Sequence, residues 1–156
     1  MERCLDKLGF VGVELAAHYG NLYLDDPLFR AYFRKLNELN VPVVVHHTPL
    51  PVEYRALYEY NNLRRSIGRC IDQMTAVGRE LFSDLFEECP NLKMIHTMLG
   101  GGIFAFTEQI LPRKSKEKEE IERFTPQVTK YKDFFRNNLY FDITTPLAWS
   151  KSQLEC

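Results

Sequence analysis

Pro42-Val43-Val44-Val45-His46-His47 is the stretch whose reading decides the fold. It is apolar, too short for a helix, and ends in two imidazoles. Bulky residues in a row with no polar alternation predict a strand buried on both faces, the habit of parallel sheets. In such sheets chemistry collects at the carboxyl ends of the strands, where the loops open. A histidine there is placed to hold a metal ion or to move a proton.

Working outward, the pattern repeats. The stretch 9–15, with Val11, Val13 and Leu15, predicts a first strand. A loop with Gly20 and Asn21 follows, then Asp26-Pro27, a carboxylate cap with proline at the first helical position. Leu28, Phe29, Tyr32, Phe33, Leu36 and Leu39 recur at spacings of three and four, which predicts a helix ending at Asn40. Beyond Pro49 and Pro51, the longest periodic segment runs through Leu63, Ile67, Cys70, Ile71, Met74, Val77, Leu81, Leu85 and Phe86. That stripe reads as core packing. Residues 92–99 predict a third strand closed by Gly100-Gly101-Gly102, residues 103–111 a short helix, 127–137 another, and Leu139–Ile143 a fourth strand. The charged stretch 113–123 reads as a solvated face. The order β-α-β-α-β-α-β favours a parallel sheet with right-handed crossovers.

Bulk properties narrow the function. The chain has 156 residues, 45% hydrophobic and 13% aromatic, enough for a single core and too apolar for a disordered segment. A net charge of −1 gives no reason to expect a nucleic-acid or anionic-membrane partner. No run approaches the roughly 18 apolar residues that span a bilayer, and Met1–Asp6 lacks the apolar core of a signal peptide. Cys4, Cys70, Cys89 and Cys156 show no Cys-x-x-Cys spacing. Reduced thiols in a cytoplasmic protein are the expectation.

Five motifs in order carry a resemblance. They are Gly12-Val13-Glu14-Leu15, Leu24-Asp25-Asp26-Pro27, Val41–His46, Pro90-Asn91-Leu92-Lys93 with the later Gly-Gly-Gly, and Leu139-Tyr140-Phe141-Asp142. Together this set resembles the amidohydrolase-2 branch of the metal-dependent amidohydrolases, which includes aminocarboxymuconate-semialdehyde decarboxylase and the resorcylate-type decarboxylases. The resemblance implies an α/β fold in which residues 1–156 form one partial TIM-type barrel domain, about strands four to seven. It also implies a divalent metal, zinc or manganese, and hydrolysis or decarboxylation of a small carboxylated, often aromatic, substrate. The family's opening His-x-His pair and its late metal-binding aspartate have no counterpart, so a truncated barrel is expected.

The same resemblance assigns roles. His46 falls at the family's strand-five metal ligand. Met98 falls where the family places its catalytic histidine, and His96, two residues earlier, is the candidate catalytic residue in its stead. On a strand through 92–99 those two side chains share a face. His18, after the first strand, and His47 are candidate substrate contacts, with a loop histidine and loop packing as the plainer alternatives. The glycine triplet reads first as a tight turn and second as an anion cradle, and Asp142 as a cap. A rival reading is a non-catalytic fragment that self-associates through its open sheet edges; a homo-oligomer is expected on that ground. A small ligand-binding α/β domain is a third alternative.

Overall fold

The structure, a computed structural model, describes residues 1–52, 55–111 and 128–143. The charged stretch 113–123 and Cys156 lie outside the described residues. In chain order the elements are α1 (Glu2–Asp6), β1 (Val13–Ala16), β2 (His18–Tyr19), β3 (Leu22–Tyr23), a 3-10 turn Pro27–Phe29, α2 (Arg30–Leu39) and β4 (Val43–His46). Then come α3 (Asn61–Leu63), a π-turn Arg64–Gly68, α4 (Arg69–Phe82), α5 (Leu85–Glu88), β5 (Met94–His96), α6 (Thr107–Ile110), α7 (Val128–Asn137) and β6 (Leu139–Phe141).

Four strands form one parallel sheet in the order β1-β4-β5-β6. Each joins its neighbour through a helical crossover, as the alternation of elements requires. Pairing is in register across the sheet: Leu15 opposite Val45, Val45 opposite His96, and His96 opposite Phe141. Since side chains alternate along a strand, this register sorts the sheet into two faces. Val43, Val45, Met94, His96 and Leu139 lie on one face and are buried; Glu14, His46 and Tyr140 lie on the other and are exposed, with Val44 and Ile95 half-buried between them. The buried face packs on helices. Phe33 and Leu36 of α2 and Val77 and Leu81 of α4 are wholly enclosed with it, and α7 joins through the ring pairs Phe82–Tyr131 and Phe86–Phe134.

The local signals explain most of the boundaries. Asp26 Oδ1 accepts from the Leu28 N–H at 2.9 Å, so the carboxylate caps the turn that Pro27 opens. Asn40 ends α2 in the left-handed conformation at φ 52°, a position asparagine tolerates better than most residues. Gly20-Asn21 is not a plain loop but the two-residue turn of a small antiparallel hairpin, β2 against β3.

Three expectations are corrected. The first strand starts at Val13 rather than residue 9. The long stripe is not one helix: a π-turn precedes α4, and Ser83, extended at ψ 179°, separates it from α5. Its early members Leu63, Ile67 and Ile71 are exposed, while Asp72, Gln73 and Glu80 take buried places on α4. The third strand stops at His96, because Met98 and Leu99 enter positive φ (56° and 52°) and the three glycines continue it.

That left-handed turn is a packing device. A Cβ on Gly101 would stand 1.8 Å from the Cys70 carbonyl oxygen and 2.7 Å from the Met74 nitrogen, so the turn lies directly on the backbone of α4. The turn reading of the triplet therefore holds at Gly101. Gly78, also on α4, has nothing within 4 Å of an added Cβ. Gly101→Ala is therefore expected to cost about 2–4 kcal/mol, from overpacking and a strained φ. Gly78→Ala should gain about 0.5–1 kcal/mol as a helix-interior glycine is removed. Urea unfolding of the two variants measures both signs.

Candidate functional site

The carboxyl ends of the parallel strands carry the polar side chains. Extending the register by one residue beyond Leu15, Val45, His96 and Phe141 puts Ala16, His46, Thr97 and Asp142 in one row along that edge. His46 is the last residue of β4 and is exposed on the open face. Its Nδ1 donates to the His47 carbonyl at 2.8 Å. In the neutral ring that fixes the tautomer and leaves the lone pair on Nε2, the arrangement found in metal-ligating histidines.

His47 stacks on His46 with ring centroids 4.1 Å apart, and its Nδ1 is buried without a hydrogen-bond partner. Burial, chiefly, with the neighbouring His46 and Arg69 charges, lowers its pKa to about 4, against an opposing pull from Asp142. His47 is thus held neutral. The sequence expectation of loop packing matches this placement more closely than an open substrate contact does.

His18 lies at the same edge, beneath the loop that follows β4. Its Nδ1 donates to the Gly20 carbonyl at 2.8 Å, while its Nε2 stands 2.6 Å from Thr48 Oγ1 and 3.1 Å from both the Leu50 carbonyl and Asp72 Oδ2. Asp72, 2% exposed, also accepts from the Tyr23 hydroxyl at 2.6 Å. Burial and that carboxylate push the Tyr23 phenol well above its usual range. Protein groups occupy both nitrogens of His18, so the ring is part of a buried clamp and not a surface open to substrate.

His96 sits on the other face of the sheet. It is 0% exposed. Its Nδ1 donates to Gln73 Oε1 at 3.0 Å and its Nε2 meets Glu80 Oε2 at 2.7 Å, both from α4. On the sequence, His96 is the catalytic candidate on the face of Met98, one layer deeper along the strand. Paired in register with Val45 and Phe141, the His96 ring points into the helix layer; β5 ends there, and the left-handed turn takes Met98 out of the strand altogether. Asp72, Gln73 and Glu80 are not among the apolar residues by which the sequence marks this helix. The available signal was their position, one helical face with Ala76, Val77 and Leu81.

Among the described residues, His46 is the one sequence-predicted metal-ligand candidate, and it stands at a strand end on the open face. A catalytic zinc takes about three protein ligands with water, and among the described residues no group of three or more His, Cys, Asp or Glu gathers closely enough to hold an ion. His46 fits as one donor; the described residues alone do not make a closed centre.

Comparison with known proteins decides the family. The amidohydrolase family model, Amidohydro_2, matches residues 1–111. The chain belongs to this family. It is 31% identical over 154 residues to the gamma-resorcylate decarboxylase of Rhizobium sp. (strain MTP-10005), an alignment covering 93% of this chain and 46% of that enzyme. The crystal structure of 2,6-dihydroxybenzoate decarboxylase complexed with 2,6-dihydroxybenzoate superposes with a TM-score of 0.72 at 25% identity, over 90% of this chain and 45% of that one. A dihydroxybenzoic acid decarboxylase from Polaromonas sp. JS666, solved with bound manganese and the inhibitor 2-nitroresorcinol, gives 0.71 at 26% identity over 90% and 44%. The chain thus spans slightly under half the length of these relatives, and its parallel sheet is the corresponding arc of a TIM-type barrel. Among the described residues no helix is long and apolar enough to cross a membrane.

The buried neutral His47 gives a pH prediction. Its folded pKa, about 4, lies below the ordinary value of 6.5, so between those values the unfolded chain binds the extra proton. Stability from this residue is complete above pH 6.5 and is lost as pH falls toward 4. His47→Gln is expected to lose less stability than the parent between pH 7 and pH 4, read by chemical unfolding at each pH.

Proposed function

We propose that this chain is the central part of a metal-dependent amidohydrolase-family decarboxylase or hydrolase acting on a small carboxylated, often aromatic, compound. In this reading residues 1–156 are one partial barrel domain. His46 supplies one ligand to a divalent cation, zinc or manganese, completed by groups outside the described residues. The observation that carries the reading is the placement of His46: at the carboxyl end of a central parallel strand, on the open face, with its Nδ1 tied to the His47 carbonyl. The kinship with decarboxylases of dihydroxybenzoates supports the substrate class. A cation held there supplies Lewis acidity toward a substrate oxygen. The chain's own part is to orient the imidazole and keep His47 neutral beside it, so that no second positive charge repels the ion. A cytoplasmic setting, with Cys4, Cys70 and Cys89 as free thiols, belongs to the same proposal.

One observation favours a second reading, a non-catalytic fragment that self-associates. Helices cover one face of the sheet, while Glu14, His46 and Tyr140 stay exposed on the other, and parallel sheets are ordinarily covered on both. Under this reading the isolated chain is a homo-oligomer.

Metal titration of chelator-treated protein separates the two. The first reading predicts stoichiometric zinc or manganese binding, abolished in His46→Ala with the circular dichroism spectrum retained. No binding by the parent chain, together with a dimer or larger assembly in light scattering, would instead establish the second.

A further inference from the structure

The peptide units around His46 are gripped from beneath by two adjacent side chains of α4. Gln73 Nε2 donates to the Val45 carbonyl at 3.0 Å and to Thr97 Oγ1 at 3.1 Å. Val45 immediately precedes His46, and its carbonyl also accepts from the Thr97 N–H at 3.1 Å. The orientation of the Gln73 amide is not free: its Oε1 accepts from His96 Nδ1, and His96 is held by Glu80. On the far side, Thr48, two residues after His46, places Oγ1 3.1 Å from Asp72 Oδ2, and Asp72 Oδ1 lies 3.4 Å from the Val52 N–H. The segment Val45–Thr48 is thus fixed at both ends, with the His46-His47 pair between the two anchors.

These groups are costly to bury unless they do something specific. Gln73, Glu80 and His96 are each 0% exposed and Asp72 2%, in a core where leucine would serve the packing alone. An amide held by a histidine–glutamate pair has one available orientation, and that orientation delivers two donors to the strand ends. Every side-chain polar atom of Gln73 and His96 has a partner, and buried polar groups so satisfied specify a unique geometry.

We propose that Gln73, oriented by His96 and Glu80, and Asp72, acting through Thr48, are positioning residues that hold the His46 imidazole in one orientation and one tautomer on the open face that the sheet register gives it. His96 then serves the site from the helix layer and without contact with substrate. The inference rests on the reading of His46 as the working imidazole.

The test uses the whole chain, uniformly 15N-labelled and metal-free at pH 8, with the His46 ring read by long-range 1H–15N correlation. The parent is expected to show one neutral tautomer with Nδ1 protonated. Gln73→Met is expected to lose that single pattern and give averaged ring nitrogens. Thr48→Val, which cuts the other anchor with little change in volume, carries the same expectation should Gln73→Met fail to fold. Leu81→Ala is the control for general loosening: it removes core packing on the same helix without touching either anchor, and should leave the His46 ring unchanged. The proposal is overturned if the His46 signals of folded Gln73→Met or Thr48→Val superimpose on the parent, or if Leu81→Ala shifts them as far. Because no metal is present, failure of zinc or manganese to bind would sink the functional reading and leave this result standing. Metal binding with an unmoved His46 ring would sink the positioning alone.

Discussion

Register is the constraint on which this molecule depends. Four short parallel strands pair without a slip, so one choice of face at Val43 fixes the face of every sheet residue from Glu14 to Tyr140. A shift of one residue would send His46 under the helices and bring His96 out. What holds the register is the apolar side. Val43, Val45, Met94 and Leu139 are locked against α2, α4 and α7, and burying each such side chain contributes roughly 1.5–3 kcal/mol. The polar edge is a consequence of that packing.

The helix layer is unusual in what it encloses. Besides Val77 and Leu81, α4 buries a carboxamide and two carboxylates, and one oxygen of Glu80 has no hydrogen-bond partner. A buried histidine–carboxylate pair gains little net stability over an apolar pair of the same shape, because desolvation offsets the attraction. Its presence therefore argues for orientation over stability. The partners of Gln73 and Asp72 identify what is oriented: the carbonyl before His46 and the hydroxyl two residues after it.

The fold was legible wherever a signal was local and strong. The valine run, the Asp26-Pro27 cap and the Leu139-Tyr140-Phe141 stretch each led to the element found, and the alternation of elements led to the parallel sheet. His46 was legible because a histidine closing an all-apolar strand has few other places to be. His96 was not, since its face follows from its pairing with Val45 and Phe141, and its kinship with Met98 depended on where β5 ends. That end is set by five consecutive residues at positive φ, two of which, Met98 and Leu99, carry side chains that ordinarily avoid the region. The glycines flagged a turn, but not that it would begin two residues early. Asp72, Gln73 and Glu80 escaped notice because polar residues on a helix are normally solvent-facing, and only the tertiary partners reverse that rule. The Gly20-Asn21 dipeptide carries the signal of a two-residue hairpin, and the hairpin is what forms there.

The separation of the two histidines onto opposite faces carries the functional account, and it can be read directly. Exchange of the imidazole C2 proton for deuterium, followed residue by residue by mass spectrometry, reports how freely water reaches each ring. The account predicts that His46 exchanges at close to the rate of a free imidazole while His96 lags far behind all other histidines in the chain. Comparable rates at His46 and His96, or a faster His96, would contradict it.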